Sequence, residues 1–121
     1  MDFKKITSYC LSKKGAYEDY PFGSDILVVK LASKMFALIS ERNNQLNISL
    51  KCNPILAENL REQYPCIIPG YHLNKTHWNT VLIDGSLTEL ELFKLIDHSY
   101  DLIYKGLKKI EKDTIQGEIQ R

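Results

Sequence analysis

The sequence predicts an α+β domain, a two-layer sandwich in which an antiparallel sheet carries its helices packed on one face. Three observations point there. Helical rhythm opens and closes the chain, with apolar residues three and four apart at Phe3, Ile6 and Cys10, and again from Phe93 onward. Between them, the β-rich runs "DILVVKLA" and "KMFALIS" follow each other at hairpin spacing. A third run, "LNISLKC", alternates strictly, as a strand with one dry and one wet face does.

Each element can be justified in turn. In the first helix Leu11 lies beside the apolar stripe, Lys13 and Lys14 sit where the negative end of the dipole favours cations, and Gly15 is a natural terminator. Pro21 and Gly23 make "AYEDYPFGSD" a loop, expected to pack Tyr20 or Phe22. The two strands after it turn at Ala32-Ser33. In the third strand Leu46, Ile48 and Leu50 take the dry face, leaving Asn47, Ser49 and Lys51 to water. Asn53 caps the next helix, Pro54 suits its first position, and Leu56, Leu60 and Tyr64 form its buried stripe until Pro65 ends it. "HWNTVLID" reads as a strand closed at Asp84-Gly85, with Trp78, Thr80 and Leu82 on one face and His77, Asn79, Val81 and Ile83 on the other. The last helix has two capping frames, Ser86 with Glu89 or Thr88 with Glu91. Its stripe runs through Phe93, Ile96, Tyr100, Ile103, Leu107 and Ile110, and the polar extension over residues 108–121 is expected to fray.

The whole chain, residues 1–121, is long enough for one domain with a sizeable core. Its 44% hydrophobic and 26% charged residues suit a soluble globular protein. No apolar run approaches the roughly 20 residues needed to cross a bilayer, and the N-terminus lacks a signal-type core, so a cytoplasmic protein without a membrane partner is expected. Cys10, Cys52 and Cys66 are odd in number and widely spaced, which favours buried, reduced thiols over disulfides or a zinc ribbon. With 16 basic and 15 acidic residues the net charge is +1, so binding to a duplex would require the lysines to gather on one face.

Among chemical possibilities, His72 and His77 lack a metal-binding spacing, and His98 stands alone beside Asp97. Neither a metal nor a cofactor is expected. Cys66 sits between apolar neighbours without a positioned base, and no nucleophile elbow occurs, so an enzyme is not expected either. The densest polar cluster is "IPGYHLNKTHWNTV". There, Asn74 and Lys75 could meet a base edge or a phosphate, with Trp78 or His77 as a stacking plane. Equally, Asn74 and Gly70 could shape a turn while Trp78 seals the core.

The string "PGYHLNKTHWNTV", with "YPFG", "KMFALIS", "LKCNP" and "LIDHSYDLI" in the same order, resembles the MmcQ/YjbR family from about residue 10 to 107. The resemblance implies a CyaY-like (frataxin-like) sandwich of the double-wing type and a DNA-binding-type function. It also marks Pro21, Gly23, Pro69, Gly70, Tyr71, His72, Asn74, Lys75, His77 and Trp78 as hallmark positions, none with a catalytic role. Leu73 stands where methionine is usual. Ser33 stands where the hairpin often has glycine, which bears on a turn needing positive φ. The acidic iron-handling ridge of frataxin is not matched, since the first helix offers only Asp2.

The function expected from sequence is therefore a non-enzymatic, DNA-binding-type module using Lys30, Lys34, Lys51 and Lys75 with His72, Asn74, His77 and Trp78. The alternative is a protein-interaction or small-ligand module built on the same 71–78 loop.

Overall fold

The computed structural model describes residues 1–117. Along them run α1 (Phe3–Leu11), β1 (Ala16–Asp19), β2 (Ile26–Leu31), β3 (Lys34–Arg42), β4 (Gln45–Lys51), α2 (Pro54–Gln63), β5 (Ile67–Pro69), β6 (Trp78–Leu82), α3 (Glu89–Lys105) and α4 (Lys109–Gly117). The strands make one sheet in the order β1-β2-β3-β4-β6-β5, every pairing antiparallel. This is the α+β architecture that the sequence predicts.

Register decides which side chains meet. Ile39 lies opposite Ile48, Ile48 opposite Val81 and Val81 opposite Ile67. This aliphatic row, with Leu27, Val29 and Leu31 of β2, shares one core with Ile6 and Cys10 of α1, Leu92, Ile96 and Ile103 of α3 and Ile115 of α4. The other face shows Leu38, Ser49, Thr80 and Ile68 in the adjoining row, and no helix packs on it among the described residues.

Ser99 fastens α3 to the sheet. Its hydroxyl donates to the Phe36 carbonyl (2.6 Å) and accepts from the Lys51 amide (2.9 Å), where regular β3–β4 pairing stops at Ala37 and Leu50. Beside it the Phe36 ring meets Tyr100 edge-on at 5.4 Å. A buried hydroxyl thus replaces a strand-to-strand bond that would otherwise leave two backbone groups unpaired.

Several elements depart from expectation. Residues 16–19 are an edge strand and not a loop, because pairing with β2 outweighs the weak propensity of "AYED". Tyr20 and Phe22 do not pack inward; they are 45% and 59% exposed. β5 is an additional short strand, and its Pro69 is tolerated because the strand lies at an edge. Ala32, not Ser33, takes the positive φ of the β2–β3 turn, at 53°. Ser49, expected in water, is buried. In α2 the buried residue is Ala57, while Leu56 is exposed.

The capping frame that forms is Thr88 with Glu91, each side chain accepting the other's backbone N–H. Gly106 ends α3, so the long stripe is interrupted and Ile110 points out, 73% exposed. Residues 109–117 do not fray. They form α4, which buries Ile115 and receives the Ser33 N–H and hydroxyl on Glu111. One inward apolar residue in a polar string is too little periodic signal to read from sequence. The remaining residues 118–121 lie outside the described region.

Candidate functional site

The segment between β5 and β6 divides into two parts with different tasks. Gly70 starts it, donating its N–H to the Trp78 carbonyl at 2.8 Å. A Cβ at Gly70 would sit 2.7 Å from the Trp78 Cβ and 2.9 Å from its carbonyl oxygen, so only glycine allows this approach. The second part, residues 74–78, is bound up in its own construction. The Asn74 carboxamide accepts from Thr76 N–H (2.9 Å), an Asx turn, and its carbonyl accepts from His77 N–H (3.2 Å). The Lys75 ammonium donates to the Gly70 carbonyl (3.0 Å), closing the loop on itself. The His77 carbonyl takes the Cys52 N–H (2.8 Å), while the imidazole side is exposed. Trp78 is 9% exposed; it lies on the open face beneath this loop, outside the helix-side core.

Arg61 of α2 braces the same part from the other side of the sheet. Its guanidinium donates to Asn79 Oδ1 (2.6 Å), the Trp78 carbonyl (3.3 Å) and the Lys75 carbonyl, and Asn79 passes the chain on to the Ala57 carbonyl (3.3 Å). A charged donor spanning three acceptors fixes the loop's exit.

The first part, Tyr71 to Leu73, folds back over the open face. His72 takes a left-handed backbone with φ 58°, an unusual conformation for a side-chain-bearing residue. That turn sets the Tyr71 and His72 rings 4.0 Å apart, tilted by 58°. The Arg42 guanidinium lies 3.6 Å over the Tyr71 ring. Beneath them opens a cavity of about 700 Å³, floored by Leu38, Ser40, Asn47, Ser49, Thr80 and Leu82 and rimmed by Phe22, Asp25, Arg42 and Ile68. At its base the Ser49 and Thr80 hydroxyls are 2.7 Å apart, and Thr80 Oγ1 also accepts the Tyr71 N–H at 3.0 Å. A volume of this order suits a small organic molecule.

The lysines singled out from sequence are placed elsewhere, and none lines the cavity. Lys30 is paired with Asp19 at 3.0 Å. Lys51 stands opposite Trp78, at the end of β4 away from the β3–β4 turn. Lys34 is exposed where the β2–β3 turn enters β3, and Lys75 is engaged as described. Only His72, of the eight residues named, borders the cavity.

Other chemistry is muted. All three cysteines are free and buried. Burial pushes the Cys10 thiol up to about 12 and the Cys52 thiol up to about 11, and raises Cys66 with help from Asp84. Such thiols stay protonated at neutral pH and are poor nucleophiles. Among the described residues, no three His, Cys, Asp or Glu side chains converge in a metal-holding group, and no helix is long and apolar enough to cross a membrane.

Sequence reasoning missed Arg42, Arg61, Phe22, Ser49 and Thr80. A signal existed for two of them. The wet positions of β4 and β6 hold Asn47, Ser49 and Thr80, small hydrogen-bonding groups that can pair when covered, in place of the charges usual on a solvated face.

Fold and site together define a class: an α+β sandwich whose sheet has one helix-free face, partly roofed by a loop of its own. Residues 11–102 match the YjbR family, and the chain belongs to it. The Escherichia coli K12 protein called "Uncharacterized protein YjbR" is 38% identical over 100 residues, covering 83% of this chain and 85% of that one. The Escherichia coli O157:H7 protein called "Uncharacterized protein YbdF" is 36% identical over 97 residues, 80% of each chain. The crystal structure of a Deinococcus radiodurans protein with the DUF419 domain superposes with a TM-score of 0.83 at 36% identity, covering 93% of this chain and 86% of that one. A Pseudomonas syringae protein of known crystal structure gives 0.75 at 31% identity, with 84% and 98% covered.

Proposed function

We propose that this chain is a small-ligand-binding module without catalytic chemistry of its own, and that the ligand occupies the cavity on the open face. The observation that carries this reading is the concavity of about 700 Å³ over the buried Ser49–Thr80 pair, walled by Tyr71, His72 and Leu73. Ligand sites combine an apolar lining with a few placed polar groups, and this cavity has both.

The DNA-binding reading that the family resemblance implies draws less support. Phosphate recognition calls for gathered, uncommitted cations. Here Lys30 and Lys75 are engaged and Lys34 stands at the β2–β3 turn, which leaves Lys51, opposite Trp78, as the one of the four beside the loop and outside any salt bridge among the described residues.

An amide-resolved NMR titration separates the two. Aromatic and aliphatic fragments are expected to shift the amides of Ser40, Asn47, Ser49, Tyr71 and Thr80, and Tyr71→Ala to weaken them about tenfold or more. Salt-dependent duplex binding that shifts the Lys30 and Lys51 amides and weakens in Lys51→Ala would overturn the ligand reading in favour of DNA.

A further inference from the structure

Resting on the reading of the cavity as a ligand site, we propose that its ligand is an organic carboxylate, an anionic head on a flat apolar body. Three arrangements converge on that chemistry.

The first is an uncommitted cation. Strand alternation sends Ser40 and Arg42 to the open face and Ile39 and Glu41 to the other. The Arg42 guanidinium therefore reaches the cavity mouth, where it lies 3.6 Å over the Tyr71 ring. Among the described residues it belongs to no salt bridge. A guanidinium stacked by its face keeps its edge of N–H groups free, and that edge matches a carboxylate in two parallel hydrogen bonds.

The second is a surplus proton at the floor. The Ser49 and Thr80 hydroxyls share one hydrogen bond, whichever of them donates. Thr80 Oγ1 accepts a second from the Tyr71 amide. Two hydroxyl protons are present and the pair uses one. The other meets no acceptor among the described residues, so the floor offers a ligand one O–H donor.

The third is the wall. Leu38 and Leu82 of the floor, with Ile26 and the exposed Phe22 ring, line the cavity with apolar surface, which favours an apolar body over a sugar or a peptide. Among the described residues Arg42 is the one arginine or lysine in a lining that also holds the acidic residues Asp25 and Glu41, so a ligand with a single negative charge seated on Arg42 meets less repulsion than a doubly charged phosphate.

The test compares 2-naphthoate with its neutral isostere 2-naphthamide on the full chain, by titration calorimetry and amide-resolved NMR. Naphthoate is expected to bind about tenfold tighter than the amide. Arg42→Met should abolish that preference by weakening naphthoate alone, and Arg42→Lys should restore only part, since an ammonium cannot make the paired contact. Arg42 is exposed, so both variants should fold, which thermal unfolding checks. Equal affinity of the two probes for the native chain, or a preference that survives Arg42→Met, would overturn the carboxylate assignment and leave the cavity standing. Failure of both probes to bind at millimolar concentration would remove the cavity reading as well.

Discussion

Two rows of side chains run across the same four strands, one on each face of the sheet. On the helix side Ile39, Ile48, Val81 and Ile67 stand opposite one another, none more than 2% exposed. On the other side the adjoining row reads Leu38, Ser49, Thr80 and Ile68. The first row is sealed by helices and leaves nothing unsatisfied. In the second, two hydroxyls hydrogen-bond each other under a loop, which makes their burial tolerable without filling the space above them. Strand period alone makes both rows, and what covers each of them determines whether it is core or site.

Substitutions can sharpen that contrast, beginning with the covered face. Phe36→Ala should cost about 3–5 kcal/mol in denaturant unfolding, since a fully buried ring and its contact with Tyr100 are lost. Gly70→Ala comes next. Its Cβ would press on Trp78 backbone and side chain, so about 1–3 kcal/mol should be lost, together with ligand-induced shifts at Tyr71. A result within error of the native protein would mean the loop is softer than this contact requires.

On the open face, Thr80→Val should cost about 1–3 kcal/mol by stranding Ser49 and the Tyr71 N–H. Adding Ser49→Ala should cost less than the two single changes summed, and full additivity would show that the hydroxyls do not act as a pair.

The smallest effect concerns acid. Glu91 is held below its ordinary 4.5 by the Thr88 amide and then by the Tyr64 hydroxyl, and Glu111 below 4.5 chiefly by the Ser33 hydroxyl. A carboxylate depressed in the folded state adds stability that is complete above its unfolded value and fades as pH falls through the folded one. Unfolding midpoints should therefore drop below about pH 4.5, and Glu91→Gln with Glu111→Gln should flatten that decline. Asp19, lowered by Lys30, contributes in the same direction.

Much of the fold was legible because its causes are local. The Asn53-Pro54 helix start, the alternation from Leu46 to Leu50 and the Thr88–Glu91 capping frame are each set within a few residues. β1 and α4 were not legible, since β1 exists by pairing with β2, and α4 by burying Ile115 against the core and meeting Ser33 through Glu111. The site was half legible. "GYHLNKTHW" stood out as unusual, but composition could not tell that Asn74, Lys75 and Trp78 build the turn while Tyr71 and His72 wall a cavity.

By itself the amino-acid order settled the family, the α+β plan and the aliphatic rows that pack against the helices, because periodicity and capping act between residues a turn or two apart. The cavity was decided only in three dimensions. Arg42 meets Tyr71, and Ser49 meets Thr80 across a separation of 31 residues, because strand register and a left-handed step at His72 carry them together. No local pattern encodes such an encounter, since it depends on where strands distant in the chain come to lie beside each other.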